Sequence, residues 1–233
     1  AMPGVICVYL TGRLNPGVGP HDVALALVGA TYANGYVKNK VMEFVGPGVA
    51  SLSADCRNGI DCMTTETTCW SSIWQTDGVT EEYLAGHGRA DAYKELKPAD
   101  VAYYDGCIEL DLSKIECMIA LPMHPSYAYP IRELKANAKD LLHEIETRAN
   151  EQLSGKVKMD LVSKVRADGS IYVDQGIVAG CSGGTYENLC AVADILRGKS
   201  CGNGEFKFSA YPDSMPTYLE LVKNGVVADI VSP

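Results

Sequence analysis

The chain has 233 residues, of which 47% are hydrophobic and 21% charged, a composition typical of globular proteins and sufficient for one large domain or two modest ones. The formal net charge is −9 at pH 7 and no cluster of lysine and arginine occurs, which argues against a nucleic-acid partner. No apolar run approaches the ~20 residues of a membrane-spanning helix, so we predict no membrane partner either.

The nine cysteines are odd in number and irregularly spaced, and no Cys-x-x-Cys pair occurs among them. This pattern argues against zinc-ribbon and thioredoxin-like sites. Several cysteines lie inside apolar stretches, which is typical of reduced, buried thiols. Because no signal peptide is visible, we predict a cytoplasmic protein, and we interpret Ala1 before Met2 as the remnant of a tag.

Strand and helix patterns alternate along the first half of the chain. Strands are predicted at Val5–Leu10, Val41–Val45, Trp70–Trp74, Cys107–Leu112 and Cys117–Leu121. Helices are predicted at Pro20–Ala33, at Ala54–Thr68, and from a cap at Thr80 to His87. This alternation predicts an α/β fold with mostly parallel sheets.

A linker is predicted at Leu121–Pro130, which holds three prolines and has no helical period. Beyond it we predict helices at Ile131–Leu153, Thr185–Arg197 and Asp213–Asn224. Strands are predicted in the same region at Lys158–Lys164, Ile171–Ala179 and Glu205–Ala210. The second half therefore continues the α/β alternation of the first.

The segment Gly180–Asn188 reads Gly-Cys-Ser-Gly-Gly-Thr-Tyr-Glu-Asn and lies where a predicted strand ends and a helix begins. Small residues there allow backbone amides to face a ligand at the start of a helix. The positive end of the helix dipole favours the thiolate of Cys181, the form that binds metals or attacks substrates. A single cysteine cannot hold a metal, so any metal role needs further ligands.

This segment resembles the first cluster-cysteine segment of the aconitase family of iron–sulfur hydro-lyases. Other segments resemble that family in its own order, namely Leu10–Leu14 with Pro20–Val23, Glu43–Val49, and Tyr83–Leu84 with Gly88–Asp91. The matches cover most of residues 5–225, so the chain is similar to a central fragment of a divergent aconitase-like hydratase.

The resemblance implies aconitase-like α/β/α layers in two consecutive domains. Residues 5–122 resemble the family's second domain, and residues 123–233 resemble the first part of its third, which would be incomplete. We therefore expect the natural chain to extend in both directions and the remaining domains to be partners of this fragment. Apolar faces left bare by those domains predict self-association.

In the family, three cysteines hold a [4Fe–4S] cluster whose open iron binds the substrate hydroxyl and carboxylate as a Lewis acid. By resemblance, Cys181 is the first of these ligands, followed by Ser182 and Gly183 where the family has Thr-Asn. The other two belong to a Cys-Gly-Pro-Cys motif that this sequence does not contain. We therefore expect the fragment alone to lack the cluster and to be inactive.

Cys62-Met63-Thr64-Thr65-Glu66 is similar to the family segment Asn-Met-x-x-Glu, whose Asn and Glu lie near the cluster. Residues four apart on an α-helix face one direction, so the resemblance assigns catalytic roles to Glu66 and Cys62. The carboxylate of Glu66 would hydrogen-bond an iron-bound water or hydroxyl. The changes at Cys62 and at Ser182-Gly183 indicate a hydroxy di- or tricarboxylic acid other than citrate or isocitrate.

Two other interpretations remain open at this point. The same departures are compatible with a non-catalytic scaffold or interaction module that kept the fold and lost the cluster site. A thiol enzyme using Cys181 is the third hypothesis, although no His or Asp constellation supports it. Without the resemblance, Glu66 would be read as a surface carboxylate, and Cys62 with Cys69 as buried packing residues.

Overall fold

The computed structural model describes residues 2–202 and 204–232. The chain forms two compact units, Ala1–Arg132 and Glu133–Pro233. Both combine helices with parallel strands, which confirms the predicted α/β class. No helix in the described ranges is long and apolar enough to cross a membrane.

A four-stranded parallel sheet is the centre of the first unit. Its strands are β1 (Val5–Thr11), β2 (Val41–Val45), β3 (Ser71–Trp74) and β4 (Gly106–Asp111), in the order β3-β2-β1-β4. The helices of this unit are α1 (Pro20–Thr31), α2 (Ala54–Met63) and α3 (Gly78–Gly86). β1 and β2 have their predicted positions because their apolar residues suit a buried pleated surface.

One face of the sheet forms the main hydrophobic core with α1 and α2. Alternate strand residues meet helix residues there, and the fully buried members include Ile6, Val8, Leu10, Val23, Met42, Phe44 and Ile60. The ring of Trp74 on β3 stacks on Phe44 with centroids 4.2 Å apart. The opposite face is more open, because Tyr9, Ile73 and Cys107 are exposed on it.

The predicted linker is an ordered part of the first unit. Strand β5 (Met118–Ala120) pairs antiparallel with β6 (Ala128–Pro130), and the amide of Leu121 donates to the carbonyl of Tyr127 at 2.8 Å. The ring of His124 also packs on Tyr32 with centroids 4.0 Å apart. The prolines therefore mark a tight hairpin connection rather than a free linker.

Two further local predictions in this unit were wrong. The helix predicted at Ala54–Thr68 ends as an α-helix at Met63, continues as a 3₁₀ turn over Thr64–Thr67, and stops at Thr68 with a φ of 64°. The cap of α3 is Asp77 rather than Thr80, because the Asp77 carboxylate accepts from the amides of Val79 and Thr80.

The second unit contains mostly helices around a small sheet. The helices are α4 (Ile131–Ala136), which begins at the end of the first unit, α5 (Ala138–Gln152), α6 (Gly180–Gly183), α7 (Tyr186–Leu196), α8 (Met215–Lys223) and α9 (Val226–Val231). The parallel strands are β7 (Gln175–Val178) and β8 (Lys207–Ala210). Gly225, with a φ of 77°, separates α8 from α9.

The strand predicted at Lys158–Lys164 was wrong. The segment is irregular apart from a 3₁₀ turn at Val162–Lys164, and α5 side chains satisfy its backbone. The Glu146 carboxylate accepts hydrogen bonds from the amides of Leu161 and Val162. The Asn150 side chain donates to the carbonyl of Met159 and accepts from its amide. These bonds replace a strand ladder, so apolar alternation in the segment produced no strand.

Candidate active-site segments

The predicted catalytic pair lies at the end of α2. Cys62 is half-buried in the last turn of the helix, and Glu66 is exposed on the 3₁₀ turn that follows. The α-helix ends one residue after Cys62, so the i, i+4 geometry predicted for this pair does not apply. Nor do Cys62 and Cys69 share a helical face, because the left-handed residue Thr68 turns the chain between them.

A polar network under the turn holds it in place. Asp61 Oδ1 accepts from the hydroxyl of Ser72 at 2.5 Å and from Trp74 Nε1 at 2.9 Å. The hydroxyls of Ser72 and Thr64 are 2.9 Å apart, and Thr64 is buried. These hydrogen bonds tie Asp61 and Thr64 to β3. The turn is therefore anchored to the sheet, with Glu66 exposed on its outer side.

Sequence reasoning missed this supporting network. The available signal was the spacing of Ser72 and Trp74. They lie two residues apart on a predicted strand, so the hydroxyl and the indole N–H point to the same face. Their common acceptor, Asp61, belongs to a different element. Only the packing of α2 against the sheet brings it within hydrogen-bonding distance.

In the second unit, Cys181 is exposed on the single-turn helix α6 that follows β7. The longer helix α7 begins five residues later, at Tyr186, with Thr185 as its N-cap. Cys181 therefore lies between the end of a strand and the start of the long helix, as predicted, but more than one turn before α7, which puts it beyond the reach of that helix dipole. The two residues that follow, Ser182 and Gly183, are buried.

Close backbone packing explains the small residues around Cys181. A side chain at Gly184 would collide with the carbonyl of Tyr211, while the carbonyl of Gly184 accepts from the amide of Asp213 at 2.9 Å. The side chain of Asn188 donates to the carbonyl of Ser182 at 2.9 Å. The loop is thus fixed from inside, with the thiol of Cys181 on the outside.

The described residues contain no complete metal site. Across ranges 2–202 and 204–232, no group of three or more His, Cys, Asp or Glu side chains could hold a metal ion. A [4Fe–4S] cluster takes thiolate ligands from several cysteines. Cys181 is exposed and its thiol is open to a cluster, but a complete ligand set would need further cysteines.

The chain thus combines parallel α/β sheets with an exposed cysteine on a glycine-rich turn. The chain belongs to the aconitase family (aconitate hydratase), whose pattern it matches over residues 1–231. This match confirms the predicted family.

Similar proteins include two kinds of dehydratase. The chain is 28% identical over 230 residues to the 2,3-dimethylmalate dehydratase large subunit of Eubacterium barkeri, covering 99% of this chain and 46% of that protein. It is 27% identical over 226 residues to the 3-isopropylmalate dehydratase large subunit of Clostridium kluyveri, covering 97% and 45%. The corresponding protein of Clostridioides difficile is 25% identical over 233 residues. The chain spans about half the length of these relatives.

Proposed function

We propose that this chain is the central part of a cytoplasmic iron–sulfur hydro-lyase that dehydrates and rehydrates a small hydroxy acid. The observation that supports this most is the family match over residues 1–231, together with relatives named dehydratases. Those names specify substituted malates, so we propose a hydroxy dicarboxylic acid as substrate. Because the relatives are large subunits, we also propose that a further subunit completes the enzyme.

Each candidate segment has a separate role in this proposal. Cys181 provides one thiolate for a [4Fe–4S] cluster, which when bound supplies a Lewis acid for the substrate hydroxyl and carboxylate. Ser182 and Gly183 hold the backbone that presents this thiolate. Glu66 accepts or returns a proton at its carboxylate, and Cys62 lies beside that turn as a less polar neighbour than the family's asparagine.

The role of Cys181 is tested by Cys181→Ser in the full-length parent enzyme, reconstituted anaerobically with iron and sulfide. We expect cluster absorbance to be lost and dehydratase activity to fall by more than ~100-fold, since losing a ligand costs at least as much as losing the groups that support one. Cys201→Ser, a change at another exposed cysteine, should have no effect. Unchanged iron content in Cys181→Ser would contradict the assignment.

A non-catalytic scaffold is the second candidate function. Cys62 and Ser182-Gly183, where the family has asparagine and Thr-Asn, are the observations that favour it. It predicts that the parent gene lacks a Cys-Gly-Pro-Cys segment downstream, whereas the hydro-lyase proposal requires one. Sequencing the gene beyond codon 233 distinguishes the two. The thiol-enzyme hypothesis would need Cys181 to react with iodoacetamide faster than the other exposed cysteines.

We expect this chain to self-associate through α8. Met215, Tyr218, Leu219 and Val222 form an apolar stripe at helical spacing and are 66%, 42%, 51% and 47% exposed. Leu219→Lys should weaken association by about tenfold, because burying one leucine is worth about 1.5–3 kcal/mol. Sedimentation equilibrium measures the association constant. Glu220→Gln is the control, because it changes the net charge by the same amount as Leu219→Lys without removing an apolar side chain. A monomer at high concentration would contradict the prediction.

A further inference from the structure

Two cysteines are direct neighbours across the main sheet. Cys7 on β1 and Cys107 on β4 are register partners in the parallel pairing of these strands. Adjacent strands lie about 4.8 Å apart, and disulfides join Cα atoms about 4.4–6.8 Å apart. Side chains in register on adjacent strands point to the same face, so the backbone places the two thiols within bonding range.

The two thiols have different surroundings. Cys7 is 6% exposed, while Cys107 lies on the edge strand and is exposed. Burial, followed by the hydrogen bond with the Cys107 thiol, raises the pKa of Cys7 to about 11. The register therefore places the thiols side by side, with Cys107 open to reagents and Cys7 buried next to it.

Acidic and phenolic groups complete the surroundings of Cys7. Its register partner on the other side is Glu43 on β2. The hydroxyl of Tyr104 is buried without a well-aligned hydrogen-bond partner among the described residues. Burial, followed by the nearby Glu43 carboxylate, raises the pKa of Tyr104 to about 12. With its pKa raised to about 11, Cys7 is a protonated thiol at neutral pH.

The backbone of Cys107 is fixed at the sheet edge. The hydroxyl of Tyr36 accepts from its amide at 3.2 Å and lies 3.4 Å from its carbonyl oxygen, to which it can donate. Other thiols make different contacts, since those of Cys69 and Cys117 donate to the carbonyls of Thr64 and Gly17. The Cys7–Cys107 pair is therefore positioned by strand register and by the Tyr36 bonds to the Cys107 backbone.

We propose that Cys7 and Cys107 form a redox-active dithiol that closes to a disulfide on exposure to a low-molecular-weight disulfide. The thiolate of Cys107 attacks one sulfur of the reagent, forming a mixed disulfide and releasing one thiolate. Cys7 then loses its proton and attacks the sulfur of Cys107, releasing the second thiol. Two electrons pass from the protein thiols to the reagent, which becomes two thiols.

This site is independent of the proposed dehydratase function, because neither cysteine belongs to the segments assigned to it. Because Cys107 is exposed, it reacts first with the disulfide reagent. The adjacent thiol of Cys7 then displaces the reagent and closes the internal disulfide. An isolated exposed cysteine would stop at the mixed disulfide. The distinguishing product is therefore an internal Cys7–Cys107 bond in place of a stable adduct at Cys107.

The test is to incubate this chain with glutathione disulfide, block remaining thiols with iodoacetamide under denaturing conditions, and map the peptides by mass spectrometry. We expect a linked pair of peptides containing Cys7 and Cys107, lighter than the two free peptides by two hydrogen atoms. It should form before any other cysteine pair and revert on adding dithiothreitol.

Three variants make this result specific. In Cys7→Ala, Cys107 should accumulate as a glutathione adduct, and in Cys107→Ala, Cys7 should stay unmodified. Cys117→Ala, a change at an exposed cysteine outside the pair, should leave the linkage unchanged. A stable glutathione adduct at Cys107 in the unaltered chain, or iodoacetamide-labelled Cys7 after oxidation, would overturn the proposal.

Discussion

We expect Asp77→Ala to lower the free energy of unfolding of this chain by about 3 kcal/mol, the lower end of the cost of breaking a buried ion pair, because the Asp77 side chain is 23% exposed. The guanidinium of Arg57 is 6% exposed and donates to both carboxylate oxygens of Asp77, at 2.8 and 2.7 Å. It also donates to the carbonyls of Val49 and Leu52. Without Asp77, α2 keeps a buried positive charge that has no counter-charge.

Urea denaturation of the purified chain measures this effect, and two variants provide controls. Asp77→Asn keeps an acceptor for the cap of α3 but removes the charge, so it separates the ion pair from capping. Glu95→Ala breaks the exposed Lys97–Glu95 pair and should leave stability nearly unchanged. Equal losses in Asp77→Ala and Glu95→Ala would refute the argument.

The same ion pair predicts how stability depends on pH. Burial alone would raise the pKa of Asp77, but hydrogen bonds from Arg57 and from the amides of Thr80 and Val79 hold it below its ordinary value of 3.8. The contribution of Asp77 is therefore complete above pH 3.8 and is lost as the pH falls further, through the lower pKa of the folded state. Asp77→Asn should lose less stability over that range.

The second large effect is expected from Glu66→Gln in the full-length parent enzyme. If the Glu66 carboxylate moves a proton during dehydration, kcat should fall by about 10²–10⁴-fold while cluster absorbance stays unchanged. Intact cluster absorbance separates this effect from that of Cys181→Ser. Steady-state kinetics of the reconstituted enzyme measure it.

The control for this experiment is Glu82→Gln, an equal change at an exposed glutamate on α3. It should retain full activity, because nothing assigns Glu82 to the reaction. If Glu66→Gln also keeps full activity, Glu66 is a surface carboxylate and the catalytic assignment fails. That outcome would leave the family membership of the chain untouched.

Prediction was most successful where local pattern and tertiary context agree. The strand at Val41–Val45 has the predicted bounds, and α1 begins at Pro20 as expected, because apolar alternation and N-terminal proline act within a few residues. The ordered family segments, spread over most of the chain, identified the family correctly. These signals lie within short stretches of sequence.

Features of the candidate sites depended on residues far apart in sequence. The turn that carries Glu66 is supported by Ser72 and Trp74 on β3, which donate to Asp61 near the end of α2. No local pattern places those groups together. The same reason explains the wrong strand prediction at Lys158–Lys164, where side chains of α5 bind the backbone.

The sequence by itself determined the α/β class and the family. Hydrophobic periodicity and family motifs involve residues close together along the chain, so both can be read from the sequence alone. Only the tertiary structure decided how the Glu66 turn is supported and that Cys7 lies beside Cys107. Each of these depends on strand register and helix packing, which join residues that are distant along the chain.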